Sequence, residues 1–98
     1  MFRYNKSMKT ARQMERHFKG ISNHHRIDIL LLVDKNTDVT LEMISDKLKS
    51  NVKTISEHTR RLVQAGLLNK TYVGRSVAHS LSPYGKKIVE YIKSFQHS

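Results

Sequence analysis

Apolar residues recur along this chain at two spacings, and the change of spacing divides it into elements. Met8, Ala11, Met14 and Phe18 lie three or four apart, which predicts a helix from about Lys9 to Phe18, broken by Gly20. The run SNHHRIDILLLV predicts a second helix capped by Ser22 or Asn23, with Ile27, Leu30, Leu31 and Val33 toward the core. Asp34 to Asp38 is polar and reads as a loop. Thr40 then caps LEMISDKL, where Leu41, Ile44 and Leu48 keep helical spacing and Glu42 suits the positive end of the helix. Lys49 to Asn51 form a short turn. Asn51 opens a helix over 52–65, and Gly66 stops it because glycine tolerates the left-handed conformation at a helix end. On a wheel of about 100° per residue, Val52, Ile55, Thr59, Leu62 and Val63 share one face. Lys53, Glu57, Arg60 and Gln64 fall opposite, flanked by Thr54 and Arg61.

The spacing then changes to two. Leu67 to Val73 and Val77 to Leu81 read as strands joined by a Gly-Arg-Ser turn, with Arg75 at the tip. Ser82 and Pro83 start a last helix, Ser as cap and Pro at the first helical position. Ile88, Val89, Tyr91, Ile92 and Phe95 give it one apolar face. The expected fold is therefore mainly α with a small β-hairpin, in the order helix, helix, helix, helix, strand, strand, helix. A short strand near Val39 would join the hairpin. Helices 41–48 and 52–65, joined by a tight turn and followed by a hairpin, form a winged helix-turn-helix of the α+β class. Residues 1–7 read as a flexible basic arm and residues 8–98 as the domain, with its terminal helices used for dimerisation.

Composition narrows the function. The chain has 98 residues, 38% of them hydrophobic, which makes one small domain. With no cysteine there is no disulfide framework and no thiolate metal site, which fits a reducing cytoplasm. The longest apolar run is ILLLV, far short of a membrane span, and the start lacks the apolar stretch of a secretion signal. The 18 Lys and Arg exceed the 8 Asp and Glu, for a net charge of +10. The excess is uneven: residues 1–26 carry +6, residues 27–48 carry −3 and residues 49–98 carry +7. A basic domain of this size fits a polyanion, usually nucleic acid, although the charge also serves solubility.

The segment HHRIDILLLV, then LEMISDKLKSNVKTISEHTRRLVQAGLLNKTYVGRSVAHSLSPYGKKI, resembles a winged helix-turn-helix transcriptional regulator of the ArsR-like type, over about residues 20–90. Arg26 and Ile29-Leu30 approximate the family's first element. Thr54, Ile55, Ser56, His58, Leu62, Ala65, Gly66 and Leu67 match its recognition-helix pattern, T-V-S-x-H-L-x-x-L-x-x-A-G-L. Thr59 replaces the usual Leu, and Arg61 replaces an apolar residue. The tail LSPYGKKIVEYI is similar to the L-T-x-x-G-K of related winged-helix regulators. The resemblance implies a homodimer on double-stranded DNA, with no cofactor and no membrane. The recognition helix would enter the major groove and the wing would touch adjacent DNA.

Candidate DNA-contacting residues are Asn51, Lys53, Thr54, Ser56, Glu57, His58, Arg60, Arg61, Lys70, Arg75 and Ser76. Lys53, Thr54 and Ser56 lie at the helix N-terminal end, which usually points at base edges. Arg60, Arg61 and Arg75 suit phosphates. Glu57 fits two roles: accepting from a cytosine amino group, or orienting the neighbouring bases Lys53, Arg60 and Arg61. His58 fits nucleic-acid contact and packing equally. The candidate dimer interface is Met8, Ala11, Met14 and Phe18 with Ile88, Tyr91, Ile92 and Phe95, because two such stripes exceed what a compact helix-turn-helix needs to bury.

His17, His24 and His25 are close in sequence, and Glu90 and His97 share the last helix, but neither set completes a metal-ligand pattern. Asp38 and Thr40 stand about where the family's metal sensors carry paired Cys. No Gly-rich phosphate loop, H-E-x-x-H or paired nucleophile and base marks an enzyme. The alternative to a regulator is a winged-helix module that binds a protein partner; it would place large apolar residues on the exposed helix face, where this chain has Lys, Arg, Gln and Thr. RNA binding would call for exposed aromatics, for which Tyr72 and Tyr84 are the candidates.

Overall fold

The computed structural model describes residues 3 and 5–97; residues 1, 2 and 4 of the expected arm, and residue 98, lie outside the described residues. The elements are α1 (Ala11–Gly20), α2 (His24–Lys35), β1 (Val39–Thr40), α3 (Leu41–Leu48), α4 (Val52–Gln64), β2 (Leu68–Val73), β3 (Ser76–Leu81) and α5 (Pro83–Gln96). The antiparallel sheet runs β1-β3-β2, with Val39 opposite His79 and Thr40 opposite Ala78. The strand near Val39 therefore forms and joins the hairpin on its β3 side, leaving β2 at the edge of the sheet.

Cap chemistry sets the boundaries. Asn23, rather than Ser22, caps α2 by accepting from the His25 and Arg26 amides. Thr40 accepts from the Met43 amide and Ser82 from the Gly85 amide, each satisfying a donor that the first helical turn leaves unpaired. Helix α1 begins with a capping box: Thr10 and Gln13 each accept from the other's backbone. The T-x-x-Q pattern was readable in the sequence.

Three sequence expectations are corrected. Gly20 does not break α1 but is its last residue, buried because a Cβ there would stand 2.5 Å from the Ala65 Cβ. It permits close approach of α1 to the end of α4. In α2 the fully buried pair is Ile29 and Leu30, whereas Ile27 and Leu31 are half-buried. Its apolar residues Ile29 to Val33 are consecutive and so point all round the helix, and periodicity alone could not select its inner face. Val52 is exposed, because at the first position of α4 its side chain lies beyond the core.

The core joins all five helices' inner faces except that of α1 to the sheet, with Ile29, Leu30, Val39, Ile44, Ile55, Leu62 and Leu67 fully buried. Removing one such side chain from water contributes about 1.5–3 kcal/mol. Helix α1 is attached differently: His17, 6% exposed, donates from Nδ1 to the Ala65 carbonyl at 2.6 Å and stacks on Tyr84.

Candidate nucleic-acid interface

The turn from α3 to α4 is built from side-chain chemistry rather than glycine. Lys49 takes a left-handed φ of 52° after α3. Ser45 donates its hydroxyl to the Ser50 carbonyl, and the Ser50 amide returns to the Ser45 carbonyl at 3.0 Å. Asn51 then accepts from the Lys53 amide at 2.7 Å. Of the candidate contact residues, Asn51 is therefore the one whose side-chain oxygen is engaged in capping α4.

Lys53, Thr54, Ser56, Glu57, Arg60 and Arg61 are all exposed along α4. Ile55, Thr59 and Leu62 are buried on the opposite side. Thr59 stands where a Leu would fit, and its hydroxyl is satisfied by the Ser56 carbonyl at 3.0 Å. Glu57 accepts from Arg60 at 2.6 and 3.2 Å and from Arg61 at 3.1 Å. The Arg60 hydrogen bond, then the charges of both arginines, hold the Glu57 carboxyl below its usual range, and Glu57 in turn raises Arg60. One carboxylate thus orients two guanidinium groups on the exposed surface.

His58 lies apart from that surface. It is half-buried against α2, its ring 5.2 Å from that of His25, which itself lies 4.0 Å from His24. Burial, then the charges of Arg26 and His25, push the His58 imidazole below its ordinary value. Its ring is thus packed against α2 while the residue stays partly exposed.

The hairpin projects beside α4. Val73 pairs with Ser76, leaving a two-residue loop of Gly74 and Arg75. Gly74 has φ 62°, a conformation costly for residues with a Cβ, and Arg75 sits exposed at the tip. Beyond Leu68 every residue of β2 is exposed, including Lys70, Tyr72 and Val73. Ser56, Arg60, Lys70 and the buried His79 line a small hollow where α4 meets the hairpin. Both the helix and the wing therefore contribute polar side chains to one side of the molecule.

The terminal helices carry a second surface. Phe18, Ile21, Ile27, Ile88, Tyr91, Ile92 and Phe95 line an apolar groove of about 800 Å³. Phe18, Tyr91 and Phe95 are more than half exposed. Met8, Ala11 and Met14 do not line it, and Ile88, 7% exposed, belongs largely to the molecule's own core. Ile21 and Ile27 were not expected there; Ile21 sits in the turn between helices, where periodicity has no reach. An ion pair of 2.7 Å from Lys93 to Asp34 fastens α5 to α2 beside this groove. Among the described residues no group of three or more His, Asp and Glu could hold a metal ion, and no helix is long and apolar enough to cross a membrane.

Solved structures match this arrangement closely. HlyU from Vibrio cholerae superposes with a TM-score of 0.81 at 22% identity, over 92% of this chain and 98% of that one. The homodimeric winged helix-turn-helix DNA-binding domain of a possible ArsR-family transcriptional regulator from Mycobacterium bovis gives 0.81 at 17%, over 99% and 90%. A variant of MepR from S. aureus bound to an oligodeoxyribonucleotide gives 0.74 at 18%, over 88% and 66%. No family model and no curated protein matches the sequence. The fold is the winged helix-turn-helix, and its structural neighbours are winged-helix transcription regulators.

Proposed function

We propose that the chain is a DNA-binding transcriptional regulator that works as a homodimer, placing α4 in the major groove and the hairpin against adjacent DNA. The observation that carries this reading is the exposed side of α4: Lys53, Thr54, Ser56, Arg60 and Arg61 face solvent beside a projecting hairpin with Arg75 at its tip. Base edges and phosphates are read by such polar and cationic groups. Two structural neighbours support it: one is a homodimeric DNA-binding domain and another is bound to an oligodeoxyribonucleotide. In this reading Arg60, Arg61 and Arg75 neutralise phosphates, Thr54 and Ser56 touch bases, and Glu57 holds the two arginines in place. The second copy covers the apolar groove, where Phe18, Tyr91 and Phe95 stand exposed. A two-fold pairing would set the two α4 helices about 34–36 Å apart, one turn of DNA.

The test is a salt-titrated binding measurement on the protein's upstream DNA and on random duplex. Arg60→Ala should weaken both DNAs alike and lower the salt slope by about one per subunit. Thr54→Ala should instead narrow the gap between the two DNAs. If Arg60→Ala and Arg61→Ala leave affinity and slope unchanged in a folded protein, α4 does not face DNA, and a protein-interaction module becomes the better reading. Sedimentation at micromolar concentration should show a dimer; monomer alone, with and without DNA, refutes the pairing.

A further inference from the structure

The cations of α1 were not absorbed by the recognition surface. Arg16, Lys19, Arg26, Arg61 and Gln64 line a cleft where α1, the start of α2 and the second half of α4 meet. A second cleft, lined by Lys9, Arg12, Gln13 and Arg16, runs along α1 and shares Arg16 with the first. Neither is lined by Asp or Glu. Among the described residues Arg12, Arg16 and Arg26 make no ion pair, and the Arg26 Nε is buried without a hydrogen-bond partner. The one acid on α1, Glu15, pairs with Lys19 at 3.8 Å and leaves the rest of the track uncompensated. Arg61 belongs to both the cleft and the basic side of α4, so the two surfaces are continuous.

The orientation of α1 keeps this track accessible in a dimer. At about 100° per residue, Arg12, Arg16 and Lys19 cluster on one side of α1, roughly 130° round the helix from Ala11, Met14 and Phe18. A second copy seated on the groove beside Phe18 would leave the cationic side open.

Resting on the DNA-binding reading above, we propose that these joined clefts bind backbone phosphates of the DNA that lie beyond those met by α4 and the hairpin. Guanidinium groups suit this ligand, since they present planar paired donors to phosphate oxygens and stay charged. Neither cleft is lined by an aromatic residue; the nearby Tyr84 ring is covered by Lys9, whose Nζ lies 4.4 Å from its centroid, and by the stacked His17. The track therefore adds affinity without sequence preference.

The experiment compares two double variants in salt-titrated binding to duplex DNA, with folding checked by circular dichroism. Arg12 and Arg16 are exposed and make no ion pair among the described residues, so Arg12→Gln with Arg16→Gln removes charge without disturbing the core. Lys35→Gln with Lys87→Gln removes the same charge from the far end of α2 and from α5. The α1 pair should lower the salt slope by about one per side chain per subunit, equally on target and random DNA, while the control pair leaves it unchanged. An unchanged slope for the α1 pair, or an equal loss in both pairs, overturns the proposal. So does loss of inorganic phosphate binding with the duplex slope retained, which would assign the clefts to a small anion. Arg60→Ala, run alongside, separates the two failures. If it lowers the slope and the α1 pair does not, only this proposal falls; if neither does, the DNA-binding reading falls as well.

Discussion

Ser82 joins the end of α4 to the start of the last helix, and Ser82→Ala should measure how much that junction contributes. Its hydroxyl donates to the Gly66 carbonyl at 2.6 Å and accepts from the Gly85 amide at 2.9 Å. The residue is 5% exposed, so water cannot replace either partner easily. Losing a serine cap costs about 1 kcal/mol. Leaving the Gly66 carbonyl without its partner in a partly buried setting adds about 1–2 kcal/mol. The Ser82 amide still donates to the Leu67 carbonyl at 3.1 Å, so that bond does not enter the difference. The expected total is about 2–3 kcal/mol, which for a domain of this size lowers Tm by roughly 10–20 °C. Urea unfolding followed by circular dichroism measures it, with the midpoint falling and the slope unchanged. Ser82→Thr keeps the hydroxyl and should recover most of the loss. If Ser82→Ala falls within about 0.5 kcal/mol of the unaltered chain, the range of a neutral surface change, the two bonds do not hold the junction together.

Gly85→Ala should destabilise more, because its Cβ would stand 2.1 Å from the Leu67 carbonyl oxygen, a backbone atom that cannot swing aside. A loss of about 3 kcal/mol or more, or failure to fold at 37 °C, is expected in the same assay. The protein should also lose stability in acid below pH about 6.5. Burial, chiefly, pushes both His58 and His79 below their ordinary values, so the unfolded chain binds protons that the folded one resists. That contribution is complete above the unfolded value and is lost as pH falls toward the folded values. His58→Gln should flatten the decline of the urea midpoint between pH 7 and 5, and an unaltered decline would show that this ring titrates as in the unfolded chain.

Much of this fold was legible because local chemistry and global packing agree. Thr40, Asn51, Gly66 and Ser82-Pro83 each mark a boundary that the structure keeps to within a residue or two. The helix α4 was readable from one contrast, buried Ile55, Thr59 and Leu62 against exposed Lys53, Glu57, Arg60 and Gln64. What stayed hidden depended on distant partners. Gly20 looked like a breaker because its neighbour Ala65 lies 45 positions away. His58 was ambiguous because its surroundings, His25 and Arg26, sit on a different helix. The clefts along α1 join residues from three helices, and no spacing within one helix announces them.

The junction after α4 has a consequence for how DNA would be met. Four contacts converge within three residues. His17 of α1 donates to the Ala65 carbonyl, and Gly20 lets α1 reach the Ala65 side chain. Ser82 holds the Gly66 carbonyl, and Gly85 of α5 lies against the Leu67 carbonyl. Both helices that flank the apolar groove are therefore fastened to the C-terminal end of α4, by contacts short enough to transmit a shift of either. A second copy seated on the groove would fix the angle of α4 through these contacts and not through the hydrophobic core alone. The spacing between two recognition helices would then depend on His17, whose loss leaves Ile55 and Leu62 buried but frees α1. His17→Ala should accordingly weaken target DNA more than random DNA, since only the target requires both half-sites at one spacing. Equal weakening on both, with the dimer intact by sedimentation, would show that the His17 bond stabilises the fold without setting the reach of α4.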